Sequence, residues 1–142
     1  MLKFNKANTY ELRKQLFSSC IHDSKIEKIS YNYPENNITI ELVNSFFDVK
    51  IKIVFCDVVL LLTNKGNWQG SPNAVHSLTI EEDYLRLLDC VPQSYKDIEG
   101  SLYLLLQMFS GDELHIVSKK IMIENRRQGD GSVVPSVEDP QA

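Results

Sequence analysis

Residues 37–63, which read NITIELVNSFFDVKIKIVFCDVVLLLT, carry the most regular hydrophobic pattern in the chain. Up to Asn44, and again from Asp48, apolar side chains alternate with mostly polar ones; the apolar members are Ile38, Ile40, Leu42, Val49, Ile51, Ile53 and Phe55. A period of two places such a set on one face of an extended strand. The stretch therefore predicts two strands of a half-buried antiparallel sheet.

The connection between these strands, and the run after them, depart from the alternation. Ser45-Phe46-Phe47 predicts a connector that exposes two aromatic side chains unless they fold inward. Cys56-Asp57 predicts a bulge or a tight bend. Val58 to Leu62 are apolar throughout, which is typical of a strand buried on both faces.

Residues 101–125 hold the second strong pattern. Two apolar runs flank Ser110-Gly111-Asp112, an arrangement that predicts a β-hairpin. The inward candidates of its second strand change parity at Lys119-Lys120; they are Leu114, Ile116, Ile121 and Ile123. This change predicts a bulge that reverses the facing of the strand. Alternatively, Val117 points inward and the strand has two apolar faces.

The flanking segments predict one helix and further strands. Residues 5–19 predict a helix with Asn8 or Thr9 as its N-cap and with Leu12, Leu16 and Phe17 as its apolar stripe. Residues 25–33 predict a strand that returns through a turn at 34–37. Residues 75–88 predict a short strand that runs into one or two helical turns.

These elements predict an α+β fold in a single globular domain over residues 1–125. The domain is a mostly antiparallel twisted sheet, or a small sandwich, of about six strands with an N-terminal helix. Residues 126–142 contain two Gly and two Pro and have no periodicity, which predicts a flexible C-terminal tail.

Composition excludes several classes of protein. At 142 residues, with 43% hydrophobic residues, the chain can bury a core without disulfides or metals. Its net charge of −4 argues against nucleic acid as a partner and permits a basic protein. Three cysteines without close spacing predict neither a disulfide framework nor a structural zinc site. No apolar segment resembles a secretory signal or a membrane span, so we expect a cytoplasmic location and no membrane association. We also expect no cofactor.

Catalytic chemistry has few candidates in this sequence. The chain has no G-x-S-x-G, Walker A, H-E-x-x-H or G-x-G-x-x-G motif, so we expect a protein that is not an enzyme. His22-Asp23 could bind a metal or transfer a proton, although adjacent residues usually point in different directions. The alternative metal site consists of His22, Asp23, His76 and His115, if the fold brings them together.

Six residues are candidates for contacts with a protein partner. Phe46 and Phe47 lie in a connector, and Trp68 lies in the loop NKGNWQGSPN of residues 64–73. Glu81, Glu82 and Asp83 form a local acidic run. Aromatic side chains and desolvated charges dominate many interfaces, but a buried Trp and a solvated acidic face are the commoner structural roles of such residues.

Three segments together resemble a group of small bacterial proteins. They are Ile21-His22-Asp23-Ser24-Lys25-Ile26, Ile38-Thr39-Ile40-Glu41-Leu42 and Val54-Phe55-Cys56-Asp57-Val58. In that group a helix precedes a His-Asp-(Ser/Ala) segment that opens an antiparallel sheet, and a Leu-x-Phe-x-x-Val strand follows. The resemblance covers about residues 20–60.

Some members of this group are immunity proteins of polymorphic or contact-dependent toxin systems. The resemblance therefore implies a non-enzymatic protein that neutralises a cognate toxin domain by occupying it. A small metal-dependent hydrolase, or a subunit of a larger complex that pairs through exposed strand edges, is the alternative expectation.

Overall fold

The computed structural model describes residues 1–66, 74–83 and 100–127. This part of the chain contains one α-helix, α1, and seven strands. Their bounds are β1 (Leu2–Asn5), α1 (Thr9–Ser18), β2 (Lys25–Asn32), β3 (Asn37–Asn44), β4 (Val49–Asn64), β5 (Val75–Glu81), β6 (Leu102–Met108) and β7 (Glu113–Arg127). A short 3-10 helix, Lys6–Asn8, precedes α1.

All seven described strands belong to one antiparallel sheet. Its order is β2-β3-β4-β7-β6-β5, and β1 pairs with β7 outside this path. The predicted mostly antiparallel sheet with an N-terminal helix is confirmed. In the described residues, strands outnumber helices more strongly than in a balanced α+β fold. The strand β1 was not predicted, because four residues of LKFN show no decisive period.

The ladder between β4 and β7 runs through the middle of the sheet. It extends from Val49↔Arg127 to Asn64↔Glu113. The first half of β4 also pairs with β3, whereas the first half of β7 pairs with β6 and its second half with β1. The two outer pairs of strands, β2-β3 and β5-β6, therefore flank opposite ends of one long ribbon.

The ribbon changes direction near its centre. Asp57 has a positive φ of 54°, and the β4–β7 register shifts between Val58 and Leu60. The positive φ thus falls at the predicted position, Cys56-Asp57, whereas the register shift lies one to three residues after it. The predicted change of facing in β7 is confirmed, since residues on both sides of Lys119-Lys120 pack in one core; they are Leu114, Ile116, Ile121 and Ile123. The bulge itself was expected at Lys119-Lys120, but the register shift places the extra residue in β4.

The two ends of the strand order meet at one corner of the sheet. The amide of Val75 at the start of β5 donates to the carbonyl of Ser24 at 2.8 Å, and the amide of Asp23 donates to the carbonyl of Val75 at 2.9 Å. Lys25 and Ala74 form a bridge beside them. The sheet therefore curls back on itself, and its edges are joined where β2 and β5 begin.

The main core lies inside this curl. Leu12 and Leu16 of α1 pack in the same cluster as the inward residues of the strands. A smaller cluster lies on the outer face, where Tyr103 and Val117 are buried against Val59, Leu60 and Leu62. The inward assignment of the seven apolar residues in the alternating stretch is confirmed, because all of them are buried.

Four expectations require correction. Phe17 does not belong to the apolar stripe of α1, because it is exposed. Asn8 is the N-cap residue of α1, one of the two predicted positions, but its side chain makes no capping hydrogen bond to this helix; the capping box joins Asn5 and Asn8 around the 3-10 helix. Val58 to Leu62 are not buried on both faces, since Leu61 is exposed and its neighbours are half-buried.

The fourth correction concerns the end of the sheet, where β7 continues through Arg127 and so includes the first two residues assigned to the tail. The rest of the tail and the helical turns expected after Asp83 lie outside the described residues.

Candidate functional site

The connection between β3 and β4 displays two aromatic side chains, and we call residues 44–48 the aromatic turn. Phe46 is 87% exposed and Phe47 is 58% exposed. Their rings meet edge to face, with centroids 4.9 Å apart. Adjacent exposed phenyl rings keep apolar area in water, so their position is unfavourable unless another molecule covers them.

A single buried amide holds the aromatic turn in place. The Asn44 side chain is in the interior, and its Oδ1 accepts from the backbone amides of Phe46 and Phe47, both at 3.1 Å. Its Nδ2 donates to the carbonyl of Cys20 at 2.8 Å. Asn44 therefore fixes the turn internally and fastens it to the segment that follows α1.

The geometry of the turn makes it suited to binding. Asp48 has a φ of 56°, which redirects the chain into β4 directly after the two rings. A backbone held by side-chain hydrogen bonds loses little conformational freedom on association. Rigid aromatic side chains on such a backbone are typical of the residues that dominate the energy of protein interfaces.

A second exposed aromatic pair lies elsewhere and differs in its setting. Tyr31 and Tyr33, near the β2–β3 turn, are exposed and meet edge to face at 6.3 Å. The Tyr31 hydroxyl donates to Oδ1 of Asn36. These rings carry hydroxyl groups that water can solvate, so this pair has less reason than the phenyl pair to be covered.

The acidic candidates do not join the aromatic turn. Glu82 pairs with Arg13 in the middle of α1 at 3.0 Å, and Glu81 accepts from the Thr79 hydroxyl. Asp83 follows directly and is exposed. The aromatic turn instead contacts Cys20, beyond the C-terminal end of α1. The five described candidates therefore lie in two places, and Trp68 lies outside the described residues.

Two of the three histidines come together at the corner where β2 and β5 meet. The ring centroids of His22 and His76 are 5.7 Å apart. Phe109, in the turn between β6 and β7, lies 5.9 Å from His22 and 5.2 Å from His76, edge-on to both. We call these three residues, with Asp23, the histidine corner.

Backbone hydrogen bonds fix the three segments of this corner. The Asp23 and Val75 bonds that close the sheet flank His22 and His76 directly. The amide of Phe109 donates to the carbonyl of Ala74 at 3.0 Å. Sequence reasoning names His22, Asp23 and His76 as candidate ligands. It could not show that they meet or that Phe109 joins them, because the contact depends on closure between strands that are far apart in the chain.

His115 lies apart from the histidine corner. It is 3% exposed, and its Nδ1 lies 2.6 Å from the Tyr103 hydroxyl in the outer cluster. The four-residue alternative site therefore does not converge. Among the described residues, no three His, Cys, Asp or Glu side chains are grouped as ligands of one metal ion.

Two residues of these sites were missed in the sequence. Asn44 was treated only as a break in the pattern, although Asn at a strand end before a turn is a recognisable signal of side-chain capping. Phe109 ends the apolar run before Ser110 and carries no functional signal in the sequence.

In the described part of the chain, no helix combines the length and apolarity that crossing a bilayer requires.

Known protein families and curated proteins were compared with this chain, and neither comparison found a match.

Proposed function

We propose that this protein is a non-enzymatic, cytoplasmic binding module that acts as an immunity protein, neutralising a bacterial toxin by direct contact. The observation that carries the proposal is the aromatic turn. Buried Asn44 accepts hydrogen bonds from the backbone amides of Phe46 and Phe47, while both phenyl rings remain exposed to solvent. Support also comes from the resemblance of residues 20–60 and from the absence of common catalytic motifs.

The energetics favour a protein partner over a small ligand. The aromatic turn projects from the surface, whereas small-molecule sites are usually concave. Covering two phenyl rings would remove apolar area from water on both partners, and a projecting pair fits into a pocket on the partner. Each ring is expected to contribute about 2 kcal/mol or more, as central aromatic residues of interfaces do.

The test is protection of cells against the products of genes that neighbour this one. Each neighbouring reading frame is expressed with and without this protein, and growth is measured. The wild-type chain should restore growth against one of them and co-purify with its product. Absence of protection against every neighbouring product, together with recovery of this protein alone, would contradict the proposal.

The chain offers a matched pair of variants for the same assay. Phe46→Ala/Phe47→Ala should weaken binding about 1000-fold and abolish protection. Tyr31→Ala/Tyr33→Ala, which removes an exposed aromatic pair elsewhere, should protect as well as wild type. If the phenylalanine variant protects fully, the aromatic turn is not the binding surface, even if the chain is an immunity protein.

A further inference from the structure

The histidine corner holds two imidazole rings at a separation close to that of two ligands of one transition-metal ion. In a tetrahedral zinc site, two imidazoles bound at about 2.0–2.1 Å place their ring centroids about 5.2 Å apart. The observed separation of His22 and His76 is 5.7 Å. Both rings are exposed, so a metal ion can approach them from solvent.

Hydrogen bonds at both rings leave the same nitrogen available. Nδ1 of His22 lies 3.1 Å from Oδ2 of Asp23, which can only accept when ionised. Nδ1 of His76 lies 3.4 Å from the Ser77 hydroxyl, which itself donates to Oε1 of Gln107 and therefore accepts from the ring. Both contacts favour the tautomer with hydrogen on Nδ1, and Nε2 keeps its lone pair.

A carboxylate that orients a histidine in this way is a recurrent companion of metal ligands. It fixes the ring tautomer and increases the basicity of the coordinating nitrogen. Asp23 adopts this position with a φ of 66°, a conformation that costs free energy for a residue other than glycine. The loop is held in that conformation by the Asp23 amide, which donates to Val75.

We propose that Nε2 of His22 and Nε2 of His76 bind one divalent transition-metal ion of the zinc class. Imidazole suits Zn²⁺, Cu²⁺ and Ni²⁺, whereas Ca²⁺ and Mg²⁺ require clustered oxygen ligands. Two positions of a tetrahedral ion then remain for water or for a donor from another molecule. Phe109 packs edge-on against both rings, and Asp23 is a positioning residue that does not bind the ion.

This site is independent of the proposed immunity function. Zinc binding to the full chain would be measured by calorimetry and equilibrium dialysis with Zn²⁺ as the only added metal. One ion should bind per chain. His22→Ala and His76→Ala should each reduce the association constant about 100-fold or more, and Asp23→Asn should reduce it about 10-fold.

Cysteine provides the control for specificity. Cys20 is the one partly exposed cysteine among the described residues, so Cys20→Ser should leave zinc affinity unchanged. Equal affinity in wild type and in His22→Ala/His76→Ala would overturn the proposal, as would the absence of zinc binding.

Imidazole ¹⁵N spectra of the wild-type chain test the same site without a substitution. Zinc should shift Nε2 of two histidines together and leave buried His115 unchanged. The Nδ1–H tautomer of His22 should decline in Asp23→Asn before zinc is added, an effect that a purely structural role would not produce. Shifts confined to one histidine, or no shift, would refute the shared site.

Discussion

At the scale of single residues, Asn44 has the largest expected effect on the aromatic turn. From the interior of the protein its amide makes hydrogen bonds to four backbone groups, which are the amides of the two phenylalanines and the carbonyls of Cys20 and His22. Asn44→Ala should lower the free energy of unfolding by about 2 kcal/mol, because the Cys20 carbonyl and two turn amides lose a partner. Urea unfolding followed by circular dichroism measures the change.

Asn32→Ala is the control for this substitution. Asn32 is exposed, and its side chain accepts one long hydrogen bond, of 3.4 Å, from the Glu35 amide. Its loss should change the unfolding free energy by less than about 0.5 kcal/mol. Asn44→Asp, which buries a carboxylate against the Cys20 carbonyl oxygen, should lower stability at least as much as Asn44→Ala. Equal stability of all three variants would show that the amide does not anchor the turn.

At the scale of secondary-structure elements, the helix α1 is held by one face only. Leu12 is fully buried in the main core, whereas Phe17 is 78% exposed. Leu12→Ala should therefore cost about 2–5 kcal/mol of unfolding free energy, through lost burial and the cavity left behind. Phe17→Ala removes a larger side chain from the same helix and should cost less than about 0.5 kcal/mol.

Denaturant unfolding of the two α1 variants separates burial from side-chain size. If the loss of stability followed the volume removed, the phenylalanine substitution would be the more damaging one. A ten-residue helix is marginal on its own, so its stability must come from contacts such as that of Leu12. A large effect of Phe17→Ala would mean that the exposed ring makes contacts that stabilise the fold.

The sequence predicted best the strands in which apolar and polar side chains alternate, because this alternation alone determines which side chains point into the core. The alternation around Ile40 and Ile53 identified β3, the first half of β4 and their inward faces. The run from Val58 to Leu62 was misassigned, because a uniformly apolar run contains no information about which face is covered. Phe17 was misassigned for a related reason, since it borders the stripe that Leu12 and Leu16 define.

Contacts between distant elements were beyond the reach of periodicity. The strand β1 exists because the second half of β7 offers a pairing edge that β6 does not reach. His22 and His76 meet only because the sheet curls until β2 and β5 touch. Neither fact follows from local pattern, whereas the exposure of Phe46 and Phe47 was one of two outcomes expected from their place in a short connector.

At the scale of the whole molecule, one carboxylate links segments that are distant in the chain. Oδ1 of Asp112, in the β6–β7 turn, accepts from the amide of Gly66 after β4 at 2.7 Å. A Cβ at Gly66 would overlap the backbone of Gly111, so only glycine allows this close approach. The Gly66 amide, followed by the Lys65 ammonium, holds the pKa of Asp112 below its ordinary value.

This depressed pKa predicts how stability depends on pH. The unfolded chain binds the proton of Asp112 more tightly than the folded protein does, so the contribution is present above the unfolded pKa of about 3.9 and is lost as pH falls through the folded value. The difference in unfolding free energy between wild type and Asp112→Asn should be constant from about pH 7 to pH 5 and shrink below about pH 4. Urea unfolding at each pH measures this difference.

The variant Lys65→Met separates the two causes of the depressed pKa. It should retain most of the pH dependence, because the Gly66 backbone amide is the larger cause. If the pH dependence disappears in Lys65→Met, the exposed ion pair between Lys65 and Asp112 is its cause instead.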